Sequence, residues 1–111
     1  MIRKLHWIFL MSLAVAGCTA HSHMNALAAR NVEVRIDNFT FTPANVTIAP
    51  GTTVTWINHD DVPHTATSTT KAFASAALDT DEKFSFTFSK PGTFPYYCAV
   101  HPHMTGQITV K

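Results

Sequence analysis

The segment KFSFTFS, residues 83–89, alternates strictly: Phe84, Phe86 and Phe88 fall on one side, and Lys83, Ser85, Thr87 and Ser89 on the other. An extended strand points successive side chains to opposite faces, whereas a helix would scatter the three phenylalanines around its circumference. The same period-two pattern recurs in VEVRI (32–36), VTIAPGTTVTWIN (46–58) and GQITVK (106–111), and no stretch after residue 31 holds a helical period for long. Pro50-Gly51 breaks residues 46–58 into two strands, and Pro91-Gly92 turns the chain into TFPYYC. Short strands rich in Val, Thr, Phe and Tyr with turn signals between them predict an all-β domain, a small antiparallel β-sandwich or barrel. Trp56, Phe84, Phe86, Phe88 and Tyr96 are its expected core. Residues 67–82 are less regular, and AFASAAL within them suits either a short helical turn or a loop.

The N-terminus reads differently. Arg3 and Lys4 precede LHWIFLMSLAVAG (5–17), an apolar run too short to span a membrane with flanks but long enough for an export signal. VAGC, ending at Cys18, has the form of a bacterial lipobox, with the cysteine as the lipidated residue. ALA at residues 26–28 offers an alternative cleavage after Ala28, which releases a soluble chain beginning at Ala29. The expected organisation is a signal peptide over 1–17, a tether or remainder of the signal over 18–30, and one domain over 31–111. Either route places that domain in the periplasm, soluble or lipid-anchored.

Export alters the charge balance and the cysteine count. Loss of Arg3 and Lys4 leaves six basic against seven acidic residues, without a basic run, so nucleic acid is not an expected partner. Only Cys18 and Cys98 are present, and Cys18 is lipidated or removed, so no intramolecular disulfide can form. An unpaired thiol in an oxidising compartment needs a function, and metal binding is a good candidate.

CAVHPHM, Cys98 to Met104, supplies three ligand types at the spacing C-x2-H-x2-M: Cys98, His101 and Met104. Cys98 shares a strand face with Phe94 and Tyr96, so its sulfur should point inward. Thiolate and imidazole suit copper or zinc, and a thioether tips the set towards copper. The fourth ligand must come from another strand end. WINHDDVPHT (56–65) offers His59 and His64. His64 follows Pro63 and can be held rigidly, whereas His59 lies beside Asp60 and Asp61 in what reads as a solvated turn, so His64 is the expected ligand.

These residues resemble the cupredoxins, small blue copper proteins with a Greek-key antiparallel β-sandwich. FTFTPANVTIAPGTTVTWINHDDVPHT (39–65) resembles the strands leading to the first copper histidine, and PGTFPYYCAVHPHMTGQITV (91–110) the hairpin that carries the ligand loop. The resemblance implies one copper ion held in a plane by His64, Cys98 and His101, with Met104 as a distant axial ligand. The short loop is that of the amicyanins. Two departures stand out: Thr65 occupies a place where many members carry an Asn that bridges the two ligand loops, and His103 one where amicyanins carry an aromatic residue. His103 is expected to be a surface bystander, while His21 and His23 in HSHM could capture copper transiently on a lipoprotein tether.

The expected function is one-electron transfer by a mononuclear type 1 copper, cycling between Cu(I) and Cu(II). His101 would be the edge through which electrons pass, ringed by Pro102, Met104 and apolar neighbours as a docking patch. The alternative is a periplasmic copper carrier or store with the same ligands. An enzyme is not expected. A multicopper oxidase needs histidines flanking the cysteine, where Tyr97 and Ala99 stand, and a CuA centre needs two cysteines in one loop. A Cys–His hydrolase would leave Met104 and the second histidine idle. The amicyanin resemblance implies a monomer meeting transient redox partners, such as a periplasmic dehydrogenase and a c-type cytochrome.

Overall fold

The computed structural model describes residues 30–111; the expected signal peptide, Cys18, the cleavage site after Ala28 and the HSHM histidines lie outside the described residues. Eight strands follow one another: β1 (Asn31–Asp37), β2 (Thr40–Thr42), β3 (Asn45–Ile48), β4 (Thr52–Asn58), β5 (Thr67–Ser68), β6 (Lys83–Phe88), β7 (Gly92–Tyr97) and β8 (Thr105–Val110). They form two four-stranded sheets, ordered β2-β1-β4-β6 and β3-β8-β7-β5.

The sandwich expected from the alternation is found, but its sheets are mixed rather than wholly antiparallel: β1 runs parallel to β4, and β3 parallel to β8. The turn at Ala49–Thr52 explains this. Thr52 N–H donates to Ala49 O at 3.2 Å, with Pro50 and Gly51 at the two central positions and Gly51 at φ 91°. That is a type II turn, which requires the positive φ at its third residue. It carries the chain from one sheet to the other rather than closing a hairpin, so β3 and β4 find parallel partners in different sheets.

Inward positions from both sheets interdigitate around Trp56, which is fully buried among Phe73, Phe84, Phe88 and Tyr96. Each such side chain removed from water contributes roughly 1.5–3 kcal/mol before entropy is counted. Phe84 and Phe86 are only half-buried because β6 is an edge strand; Phe88 alone of the three is enclosed. AFASAAL forms no helix. The segment is tied by isolated bridges, Thr67 to Ala74 and His64 to Leu78, and buries Phe73 and Leu78. Phe73 lies 5.3 Å from Phe86 on β6 and 6.1 Å from Tyr96 on β7, so it packs against both sheets.

Pro95 has no backbone N–H to donate to a strand ladder. It sits in β7, and its carbonyl accepts from Thr69, just beyond the end of the two-residue β5. Within a strand a residue's N and O face the same neighbour, so the donor is missing on the side where the ladder has already stopped.

Gly106, paired with Tyr96, shows how tightly the same hairpin is packed. A Cβ there would overlap the Tyr96 ring and its hydroxyl. Tyr96 cannot retreat, being 1% exposed and held against Phe41 at 4.7 Å and Trp56 at 5.4 Å. Burial also pushes its hydroxyl pKa up to about 12. Gly106→Ala should therefore cost about 1–3 kcal/mol by overpacking. An unchanged denaturation midpoint would mean that the ring has room to move.

Candidate metal centre

Strand alternation carries past β7: Tyr96 is buried and Tyr97 half-buried, and Cys98, the first residue beyond the strand, is fully buried. Cys98 N–H donates to Met104 O at 3.0 Å, extending the β7–β8 hairpin by one rung. Met104 N–H donates to His101 O at 2.9 Å, closing a tight turn whose central residues are Pro102 and His103. Proline's fixed φ suits the second position of such a turn. The loop thus returns the chain from Cys98 to β8 with His101 at its apex.

His64 is placed by a different set of contacts. It exchanges two backbone hydrogen bonds with Leu78, at 3.1 and 2.7 Å. Asn58, fully buried at the end of β4, braces the preceding connection. Its amide donates to Val62 O at 2.9 Å and Leu78 O at 2.8 Å, and its side-chain oxygen accepts from Asp60 N–H at 2.9 Å. The His64 ring is wholly buried, and its Nε2 lies 2.8 Å from the Asp60 carboxylate. A carboxylate can only accept, so the proton sits on Nε2 and the lone pair of Nδ1 faces the interior.

That lone pair meets two other donors. His64 Nδ1 lies 3.7 Å from Cys98 Sγ and 3.2 Å from His101 Nδ1, and His101 Nδ1 lies 3.9 Å from the sulfur. All three ligand atoms fall within 4.8 Å of one another. One sulfur and two imidazole nitrogens aimed at a common point suit a soft or borderline cation, copper above all. The sulfur is further held by Thr65, whose N–H lies 3.4 Å from it. The Thr65 hydroxyl accepts from Ala99 N–H at 2.7 Å and bonds the Thr67 hydroxyl at 2.9 Å. Thr65 therefore does bridge the two ligand loops, with a hydroxyl.

Other expectations change. His59 is not a solvated turn residue: it is half-buried, its N–H donates to Ile36 O at 2.7 Å, and it stands outside the three-residue cluster. Asp60 is not solvated either, with a side chain 11% exposed that accepts from Asn38 N–H at 2.7 Å and Phe39 N–H at 2.9 Å as well as from His64. Burial works to raise its carboxyl, but those hydrogen bonds prevail and hold it below its ordinary 3.8. Met104 is 6% exposed and so cannot belong to a surface patch. His101 is half-buried, while Pro102 and His103 are exposed and Asp61 is solvated as expected.

Pro102 and the neighbouring Val100 remain exposed beside His101 as expected, and Phe39 replaces Met104 in the apolar rim, with Phe39 and Val100 each 49% exposed. Phe39 stands perpendicular to both histidines, with ring centroids 5.3 Å from His64 and 5.1 Å from His101. Phe39, Asp60 and Asn58 escaped the reading of the sequence. The one signal available was NF at a hairpin position that favours Asn-Gly.

A β-sandwich that gathers a thiol and two imidazoles beneath one end defines a class of protein, the mononuclear copper proteins of cupredoxin type. A cupredoxin-like domain model matches residues 7–110, and the chain belongs to that family. Amicyanin-alpha from Methylorubrum extorquens is 31% identical over 114 residues, an alignment covering 93% of this chain and 96% of that one. A purple cupredoxin from Nitrosopumilus maritimus superposes with a TM-score of 0.68 at 34% identity, over 72% of this chain and 99% of the other. A copper-containing nitrite reductase from Thermus scotoductus superposes with a TM-score of 0.69 at 31% identity, over 73% of this chain but only 22% of the reductase. The chain is thus a cupredoxin electron-transfer copper protein with one copper ion as its cofactor. No helix among the described residues is long and apolar enough to cross a membrane.

Proposed function

We propose that this protein is an exported carrier of single electrons, whose type 1 copper is held by His64, Cys98 and His101, with Met104 as the axial ligand. The observation that carries the reading is the convergence of Cys98 Sγ, His64 Nδ1 and His101 Nδ1, with His64 locked in the right tautomer by Asp60. When bound, copper supplies the one-electron couple between Cu(I) and Cu(II). The residues define what that couple costs. Thiolate and thioether favour the reduced ion, and two imidazoles accept both states. Backbone bonds from Cys98 to Met104 and from Met104 to His101 hold the loop in one shape, so little has to move when an electron passes.

Four protein ligands leave no open position for substrate, which argues for a carrier rather than an enzyme. Partners would be transient redox proteins, among them a periplasmic dehydrogenase and a c-type cytochrome, meeting the monomer at the rim of His101. Small apolar contacts suit such brief encounters. Export would follow lipidation at Cys18 or cleavage after Ala28, leaving the domain over 31–111, and mass spectrometry of the mature N-terminus distinguishes the two.

The visible spectrum tests the proposal. The oxidised protein should show an intense thiolate-to-copper band that bleaches on reduction and returns on oxidation. A colourless protein holding only Cu(I) or zinc would make it a copper carrier or store instead. His59→Ala should leave the band intact. Met104→Leu should keep copper and raise the potential by roughly 60 mV or more, a tenfold shift towards the reduced form. A lowered potential would exclude Met104 as axial ligand.

A further inference from the structure

The turn joining β1 to β2 is built against local preference. Asp37 pairs with Thr40, so Asn38 and Phe39 form a two-residue hairpin loop. Both are left-handed, with φ 51° and 56°. A loop of this shape is a type I′ turn, for which Asn-Gly is the preferred sequence. Asn38 satisfies the first position. Phe39 violates the second twice over, with a bulky side chain in a left-handed backbone and half of its ring in water. Strain of this kind persists only where the surroundings enforce it, and here the enforcing group is visible. The two successive N–H groups of the turn converge on the Asp60 carboxylate, whose remaining contact is Nε2 of His64. Consecutive N–H groups in such a turn form a natural cradle for an anion.

His101 explains what the turn is for. His64 is anchored at both nitrogens, but Nε2 of His101 makes no hydrogen bond among the described residues. Its ring is carried by a loop apex and is half-buried. Its aromatic contacts are His64, within the donor cluster and 5.0 Å away between centroids, and Phe39, outside it at 5.1 Å. The three rings form a triangle with Phe39 on the outside.

We propose that Phe39 is a positioning residue, a clamp that holds the His101 imidazole against His64, and that Asp60 fixes this clamp and the His64 ring with one carboxylate. The inference rests on His101 being a ligand, as argued above. By restraining the less anchored imidazole, the clamp keeps the site rigid and slows loss of the ion.

Phe39→Gly tests it, because glycine is the residue that the turn itself prefers. The variant should fold with a Tm within about 4 °C of the parent, strain relief offsetting the lost ring contacts. In the copper-free protein, NMR relaxation should show the His101 ring newly mobile while His64 stays fixed. In the copper-loaded protein the visible band should remain, and transfer of Cu(I) to a chelator should accelerate about tenfold or more. Phe39→Tyr should restore both properties. Asp60→Asn, which keeps the shape but weakens the cradle, should speed hydrogen exchange at Asn38 and Phe39 and loosen His101 in the same way. An unchanged His101 ring and unchanged copper transfer in Phe39→Gly would overturn the clamp, and so would a large fall in Tm, which would make Phe39 a structural plug. The copper-free measurements stand even if the wild-type protein proves colourless, so failure of the clamp and failure of the electron-carrier reading are separable.

Discussion

Cys98→Ser should abolish the visible band of the oxidised protein and weaken copper binding by more than about 100-fold, beyond what loss of a supporting partner normally costs. The substitution is nearly isosteric, so the hairpin that positions residue 98 should survive: the N–H of residue 98 still reaches Met104 O, and Thr65 N–H still faces the side chain. What changes is the donor. A serine hydroxyl is hard and stays protonated at neutral pH, whereas a thiol binding a soft cation releases its proton to solvent and binds as the thiolate. Absorption and copper titration, with circular dichroism as the control for folding, read the result directly. A serine variant that kept the intense band would exclude the thiolate as its source.

Asn58→Ala should cause the largest loss of stability, about 2–4 kcal/mol, read as a shift in the chemical denaturation midpoint. Three hydrogen bonds made by a fully buried side chain vanish, and the Leu78 and Val62 carbonyls and the Asp60 N–H lose this partner. Leu78 O is also the acceptor for His64 N–H, and Asp60 holds the His64 ring, so the damage should reach the metal centre. Copper affinity should therefore fall together with stability. If stability fell while copper affinity stayed the same, Asn58 would support the fold but not the site.

Much of this arrangement was legible in the sequence because it is local. Period two in KFSFTFS and TTVTWIN follows from strand geometry alone, and Pro-Gly marks the turns. The convergence of Cys98 and His101 lies within four residues, and Pro102 dictates the bend between them. His64 was separable from His59 by the rigidity that Pro63 lends it. Less local features were harder to see. Alternation cannot distinguish a hairpin from a chain that crosses to the opposite sheet, so the parallel pairs β1–β4 and β3–β8 were not foreseen. Asp60 beside Asp61 looks like a solvated pair until tertiary contacts separate them. One is then enclosed by Asn38, Phe39 and His64, and the other is left in water.

By itself the sequence determined the strand character, the turns and the donor types in the loop, since all three depend on neighbours a few residues apart. Tertiary structure alone decided which way each donor faces. Asp60 comes 21 residues in sequence from Phe39, and His64 comes 34 from Cys98. Groups so far apart along the chain meet because β2, β1 and β4 lie side by side in one sheet, β5 lies beside β7 in the other, and the two sheets pack together. The proton on His64 Nε2, the bridge at Thr65 and the aromatic ring over both histidines are products of that packing, and no local pattern could encode them.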